Sequence, residues 1–155
     1  MAFRAEGTFE LGTDGPTAIL VGVDGSTTSL RAGSYAAGLA RRQGAQLTVV
    51  YVGPIVPMGA SAPGAGDVIA AEREAFDEIA RDMRRQIEER AGDLGIKITF
   101  VATQGDPFRE ISRIADKTRA DAVVVGASAK AGHRFVGSLA VRLVRAGKWP
   151  VTVVP

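Results

Sequence analysis

The chain has 155 residues, of which 46% are apolar and 23% are charged, a balance typical of a single globular domain. The absence of cysteine excludes disulfides and thiolate metal sites, and a single histidine argues against a histidine-based metal centre. The net charge of +2 is too small to indicate nucleic-acid binding. No apolar run reaches the roughly 20 residues of a membrane span, and no signal-peptide core is present. We therefore expect a cytoplasmic protein with no tightly bound metal.

Residues 1–16 show little hydrophobic periodicity and end in a Gly-Pro break, so we interpret them as an arm that precedes the domain. The apolar run at 17–23 predicts a first strand, and Ser26 is placed to cap a helix that runs to about Arg42. The face that this helix is expected to bury comprises Leu30, Gly33, Ser34, Ala37, Leu39 and Ala40.

A second strand is predicted at 46–52, and the Gly- and Pro-rich stretch 53–66 predicts a long loop. Such a loop is either a lid or a simple connection, and the sequence leaves both open. The stretch 67–93 gives the clearest helical pattern, with an apolar stripe that we expect to pack in the core. That stripe comprises Ile69, Phe76, Ile79, Ala80, Met83, Ile87, Ala91 and Leu94.

A third strand is predicted at 97–102. Asp106 is then expected to cap a helix that has Pro107 at its first position. The apolar run at 122–125 is too short for a helix and is rich in valine. It predicts a fourth strand that is buried on both faces.

The loop at 126–138 is made of small and basic residues and leads into the last helix at Gly137 and Ser138. Gly147 is placed to end that helix, and 150–154 predicts the final strand. The N–H groups at a helix start have no internal partner, and the helix dipole adds positive potential there. The segment can therefore hold a phosphate.

Strands that alternate with helices predict a three-layer α/β/α fold with a five-stranded, parallel, doubly wound sheet of the Rossmann-like type. Ligands of such sheets bind at the carboxyl ends of the strands, where the winding reverses. The first and fourth strands both end in small-residue turns, VGVDGS and VVGASA, and we expect them to flank this point. Asp24 and Gly126 would then face one crevice.

Familiar nucleotide and phosphotransfer motifs are excluded by the residues present. The turn after the first strand does not match the dinucleotide fingerprint, and the Gly147-Lys148 pair is followed by Trp149 where a P-loop needs Ser or Thr. A receiver domain would need clustered acids where Asp24 stands alone. His133 has no evident partner for general-base chemistry, so we expect no catalysis, with slow hydrolysis of ATP left open.

The chain resembles the universal stress protein family over residues 17–155. The resemblance is carried by the early strand ending VGVDGS, the Gly-Asp-Pro opening of the third helix, the segment ADAVVVGAS and the closing VGSLAVRLVRAGKWPVTVVP. It implies a domain at 17–155 with a fold like that of the adenine nucleotide alpha hydrolases. It also implies a stress-response module that binds ATP or AMP without obligatory catalysis.

Nucleotide-binding members of the family carry the motif G-x2-G-x9-G-[ST] after the fourth strand. Gly126 matches the first glycine, and Gly137 and Ser138 match the closing pair. The second glycine falls on Ala129, and only seven residues separate it from Gly137, so this loop is two residues short. Because alanine disfavours the positive φ and close backbone approach that glycine permits, we expect the phosphate half of the site to be altered.

The remaining positions of the family's site are kept. Asp24 matches the acid at the end of the first strand, and Val52 matches the residue whose backbone meets the adenine. Alternative roles are a helix cap for Asp24, strand core for Val52, and either phosphate donor or helix cap for Ser138. The basic residues of the loop add donors that could receive an anion by another geometry. The full set expected to bind nucleotide is Gly22, Val23, Asp24, Val52, Gly126, Ala129, Lys130, His133, Arg134, Gly137, Ser138 and Leu139.

Two other functions compete with nucleotide binding. One is a dimeric interaction module that has lost nucleotide binding through the shortened loop, and the other is an adenylating or redox enzyme, whose motifs are missing. The resemblance implies a homodimer that pairs through the last strand, where two prolines bracket the apolar edge and limit open-ended strand addition. That edge comprises Val151, Thr152, Val153 and Val154.

Overall fold

The computed structural model describes residues 15–55, 63–128 and 137–155. Its elements are β1 (Ala18–Val23), α1 (Thr27–Gln43), β2 (Gln46–Gly53), α2 (Ala65–Leu94), β3 (Ile98–Gln104), α3 (Pro107–Thr118), β4 (Ala122–Gly126), α4 (Ser138–Ala146) and β5 (Val151–Val154). Five parallel strands form one sheet in the order β3-β2-β1-β4-β5. Helices α1 and α2 cover one face and α3 and α4 the other. The predicted three-layer, doubly wound fold is confirmed.

Side chains alternate between the two faces of the sheet, and both faces are buried. In β1, Ile19 and Val21 face α1 and α2, whereas Leu20 faces α3 and α4. Burial on both sides explains why the strands are almost continuously apolar. Because β1 pairs with both β2 and β4, the winding reverses between β1 and β4, as predicted.

The predicted helix ends are confirmed. The Ser26 hydroxyl oxygen caps α1 by accepting the N–H of Ser29 at 3.2 Å. Asp106 Oδ1 caps α3 by accepting the N–H of Arg109 at 3.0 Å, with a proline in the first turn. Gly147 ends α4 with φ 62°, a conformation that glycine adopts without strain.

The face that α1 buries differs from the predicted one. Of the predicted residues only Ala40 is buried, and Leu30 is 56% exposed. The sheet is met by small side chains, so α1 can lie close over β1 and β4 while its larger residues turn away. The buried residues are Ser29, Ala32, Ala36 and Ala40.

Helix α2 also departs from the prediction. It packs on the sheet through Phe76, Met83 and Ile87, which are only half-buried, and Ile79 is 43% exposed. None of the α2 residues whose side chains are described is buried. The predicted core stripe is therefore only partly right, and α2 covers its side of the sheet loosely.

The chain enters the sheet at Thr17, where Asp121 holds it. Asp121 Oδ2 accepts hydrogen bonds from the N–H and the hydroxyl of Thr17 and from the N–H of Ala18, each at 2.9 Å. Most of the predicted arm, residues 1–14, and residues 56–62 of the predicted loop lie outside the described residues. In the part of the chain that is described, no helix is long and apolar enough to cross a membrane.

Candidate functional site

A cavity of about 300 Å³ opens at the carboxyl ends of β1 and β4. Its size is at the lower end of the range for small-molecule sites. Asp24 and Gly126 both line it, so the prediction that they face one crevice is confirmed. The predicted residues found in its wall are Gly22, Val23, Asp24, Val52, Gly126, Gly137, Ser138 and Leu139. The other four predicted residues, which lie outside the described part of the chain, are Ala129, Lys130, His133 and Arg134.

The cavity has an apolar floor and a polar rim. The floor is formed by the buried side chains of Val50, Ile111 and Val125, and the start of α1 adds serine and threonine hydroxyls at the rim. Sequence reasoning missed these residues because it followed the strand ends and left out the helix starts beside them. The missed lining residues are Ser26, Thr28, Ser29, Val50, Pro107, Ile111, Val125, Ala127, Ser128 and Ala140.

Asp24 is held in the turn between β1 and α1. Its Oδ1 accepts the N–H of Ser26 at 2.9 Å, and its own N–H donates to Ser29 Oγ at 3.2 Å. Partial burial raises the pKa of the carboxyl, but hydrogen bonding by Ser26 and Ser29 outweighs burial and holds the pKa below its ordinary value. Asp24 is therefore an ionised acceptor at neutral pH. Since Ser26 caps the helix, Asp24 orders the preceding turn and is not itself the cap.

Val52 presents a backbone acceptor to the cavity. The last β1–β2 pair is Val23 with Tyr51, whereas β2 continues beside β3 through Val52 and Gly53. Gly53 O accepts the N–H of Gly105 on the β3 side. Because backbone groups alternate sides along a strand, the carbonyl of Val52 points the other way, toward β1 and the cavity.

Helix α4 begins at the cavity without a side-chain cap. Gly137 is the N-cap residue, and no side chain bonds to the helix start. Ser138 is the first helical residue, so the alternative that Ser138 caps the helix is wrong. A Cβ built on Gly137 would lie 2.9 Å from the Cβ of Ser128, so glycine also allows the two segments to meet. The first-turn N–H groups have no intrahelical partner and can receive an anion.

An ion pair joins α3 to α4 beside the cavity. Arg142 donates from its two terminal nitrogens to the two carboxylate oxygens of Asp106, at 2.9 and 3.1 Å, and lies 4.5 Å from the ring centre of Phe108. Hydrogen bonding by Arg142 is the main reason why the pKa of Asp106 lies below its ordinary value. Pro107 and Leu139 line the cavity from these same helices, so the pair holds two of its walls together.

Comparison with known proteins decides the family. The family model described as "Universal stress protein family" matches residues 17–155. The chain belongs to the universal stress protein family. The assignment based on VGVDGS, ADAVVVGAS and the closing segment is thereby confirmed.

Known universal stress proteins share most of this chain. Universal stress protein MJ0531 of Methanocaldococcus jannaschii is 31% identical over 139 residues, which cover 88% of this chain and 80% of that protein. The structure of universal stress protein UspA from Lactobacillus plantarum matches with a TM-score of 0.77 and 27% identity, covering 90% of this chain and 97% of that one. A universal stress protein crystallised in complex with cAMP matches with a TM-score of 0.66 and 27% identity, with the same coverage.

Metal ligands were sought in the same universal stress protein domain. Within residues 15–55, 63–128 and 137–155, no group of three or more His, Cys, Asp or Glu side chains could hold a metal ion. The cavity's lining is instead made of backbone groups, hydroxyls, one carboxylate and apolar side chains. Such a lining suits an organic ligand that has both an apolar ring and polar groups.

Proposed function

We propose that this universal stress protein is a stress-response module that binds an adenine nucleotide at the carboxyl ends of β1 and β4 without catalysing a reaction. The proposal is supported most directly by three groups that converge on one cavity. They are the ionised acceptor Asp24, the backbone acceptor Val52 and the uncapped start of α4 at Ser138. The family member crystallised with cAMP gives the proposal further support.

Each part of a nucleotide has a counterpart in the cavity. The adenine would pack against the apolar floor at Val50 and Ile111, with its amine donating to the carbonyl of Val52. Ribose hydroxyls would donate to Asp24, because an ionised carboxylate can only accept. A phosphate would receive the N–H groups at the start of α4 and the hydroxyl of Ser138.

Binding without turnover follows from the same lining. Asp24 is the one titratable side chain among the described residues that line the cavity. Its pKa lies below the ordinary value, and a carboxylate of low pKa is a weak general base at neutral pH. The small cavity and the replacement of the family's second loop glycine by Ala129 favour a monophosphate over ATP.

The proposal is tested by calorimetric titration of the full chain with AMP, cAMP and ATP, each with and without magnesium. We expect saturable binding, with AMP or cAMP bound more tightly than ATP. Asp24→Asn keeps an oxygen for the Ser26 N–H but removes the charge, and should weaken binding by roughly tenfold, the size of one charge-assisted hydrogen bond. Asp93→Asn, at the far end of α2, is the matched control. Absence of saturable binding at millimolar concentration would overturn the proposal.

A second function, homodimerisation through β5, is favoured by the edge of the sheet. In the described sheet β5 pairs only with β4, and its four residues are all half-buried. The carbonyls of Pro150 and Val154 accept hydrogen bonds from the β4 side. Because backbone groups alternate, those of Val151 and Val153 point outward and can pair with the β5 strand of a second copy.

Light scattering of the purified chain tests this pairing. We expect about twice the 16.2 kDa mass of one chain. Val153→Pro removes an outward N–H without removing a bond to β4, and should give monomers, whereas Val153→Thr should leave the dimer intact. A wild-type protein that scatters only as 16.2 kDa would contradict the dimer. Titrating the Val153→Pro monomer with AMP then separates dimerisation from nucleotide binding.

A further inference from the structure

A second cavity, of about 370 Å³, lies between α1 and α2, on the face of the sheet away from α3 and α4. Its α1 wall carries the small residues Gly33, Ala37 and Gly38, whereas Met83 and Ile87 form part of its α2 wall. Small side chains on one wall leave room that the larger residues of the other do not fill. This groove accounts for the shallow burial of α2.

Large apolar side chains stand exposed along the groove. Leu30 is 56% exposed and Leu94 is 36% exposed, and both line it. A contiguous apolar surface flanked by such residues is the usual mark of an interaction site. The groove therefore has the properties of a surface that a further segment of chain covers.

The polar groups of the groove favour an acidic occupant. Arg41 and Arg90 line it, and the described lining residues include no acid. In the described part of the chain neither arginine forms an ion pair. An apolar segment that also carries carboxylates would satisfy both the apolar walls and these two charges.

The start of the domain lies at one end of this groove. A Cβ built on Gly15 would overlap the side-chain amide of Gln43, in the last turn of α1, and Thr17 O accepts the N–H of Gln46 at 2.9 Å. Arg41 is two residues before Gln43 on the same helix. Residues 1–14 therefore join the domain beside the basic end of the groove.

Residues 1–14 have the composition that the groove requires. Phe3, Phe9 and Leu11 are apolar, and three acids stand against one arginine in this segment. Eleven helical steps from Leu30 to Arg41 span about 16 Å, which about five extended residues can cover. Attachment beside the groove also gives the segment a high effective concentration there.

We propose that residues 1–14 bind in the groove between α1 and α2 of their own chain. Phe9 and Leu11 fill its apolar part, and the acids of the segment lie against Arg41 and Arg90. The segment thereby covers the apolar surface that α2 leaves open.

Paramagnetic broadening tests the proposal on the full chain. The protein has no cysteine, so Thr8→Cys carries a single nitroxide label. In methyl-labelled protein, we expect the methyl signals of Leu30, Met83 and Ile87 to lose most of their intensity and to recover it when the label is reduced. The methyl signals of Ile111, on the opposite face of the sheet, should keep theirs.

Variants and a mixed sample make the outcome decisive. Arg41→Glu combined with Arg90→Glu should restore the groove signals, whereas Arg73→Glu combined with Arg81→Glu, elsewhere on α2, should not. A mixture of isotope-labelled wild type with nitroxide-labelled but isotope-free protein should show no broadening. Broadening in that mixture would assign the groove to a second copy and overturn the proposal. Full-intensity groove methyl signals in the labelled chain would overturn it as well.

Discussion

The backbone of Thr28, in the first turn of α1, lies directly against Gly126 at the end of β4. A Cβ built on Gly126 would be 2.6 Å from the carbonyl carbon of Thr28 and 2.7 Å from the nitrogen of Ser29, closer than real Cβ atoms approach. The φ of Gly126 is not positive, so the close approach alone requires glycine. This packing brings the start of α1 to the cavity. Gly126 thus shapes the site whether or not it touches a ligand.

Gly126→Ala is expected to destabilise the protein by about 1–3 kcal/mol, because the atoms it meets belong to the backbone and cannot rotate away. Denaturant unfolding should show a lower midpoint with an unchanged slope. Gly92→Ala is the matched control, since its Cβ meets nothing within 4 Å in exposed α2. That control should gain about 0.5–1 kcal/mol from helix propensity. Similar losses in both variants would contradict the packing role of Gly126.

Gly22→Ala adds the same methyl group to the neighbouring strand with a different expected result. Its Cβ would lie 2.9 Å from Ile111 Cδ1, the end of a flexible side chain that can turn aside. We expect a stability loss below about 1 kcal/mol, but a severalfold weaker affinity for AMP because the methyl groups crowd the cavity floor. An unfolding midpoint lowered as far as that of Gly126→Ala would show that Ile111 cannot move.

The ion pair between Asp106 and Arg142 predicts a pH-dependent contribution to stability. Because Arg142 holds the pKa of Asp106 low in the folded state, the stabilisation is present above the unfolded pKa of about 3.9 and is lost as pH falls through the folded value. Asp106→Asn keeps a capping side chain but removes the charge. The difference in unfolding free energy between wild type and Asp106→Asn should be largest near neutral pH and shrink below about pH 4.

Arg142→Gln supplies the control for that pH dependence. In this background the charge of Asp106 has lost its partner, so Asp106→Asn should change the free energy of unfolding less at every pH. Unfolding of the four proteins across pH 2–7 would measure the coupling as a double-mutant cycle. Equal effects of Asp106→Asn in both backgrounds would show that the pair does not join α3 to α4 in solution.

The elements of the fold could be predicted because their signals are local. Ser26, Asp106 and Gly147 mark helix ends through their own backbone chemistry, and valine-rich runs mark strands that are buried on both faces. The buried face of α1 could not be predicted in the same way. Leu30 is more apolar than Ala32, yet the sheet is met by the smaller residue because close approach of the helix outweighs the burial of one leucine.

The candidate site was predictable where topology brings strand ends together. Parallel strands place Asp24 and Gly126 at one edge, so their spacing along the chain does not matter. Thr28 and Ile111 were missed because their positions depend on how α1 and α3 pack over the sheet, which no local pattern records. The contact of Thr28 with Gly126 is the clearest case, since it joins two segments that are about 100 residues apart.

The shortened loop after β4 predicts a specific defect in binding ATP. Nucleotide-binding members of the family have glycine where this chain has Ala129, and two more residues before the closing glycine. Ala129→Gly together with a two-glycine insertion after Lys130 should tighten ATP binding by about tenfold, or about 1.4 kcal/mol, the size of one added hydrogen bond to a charged group. Affinity for AMP should change less, because AMP lacks the outer phosphates that the longer loop would hold.

The same insertion with Ala129 kept is the matched control for that loop variant. Because it restores length but not the glycine, it should recover only part of the gain in ATP affinity. The measured quantity is the ratio of the two Kd values, ATP to AMP, obtained by titration under one set of conditions. A ratio that is equal in wild type, control and full variant would show that the loop does not limit the phosphate half of the site. The limit would then lie in the described wall of the cavity, at the start of α4.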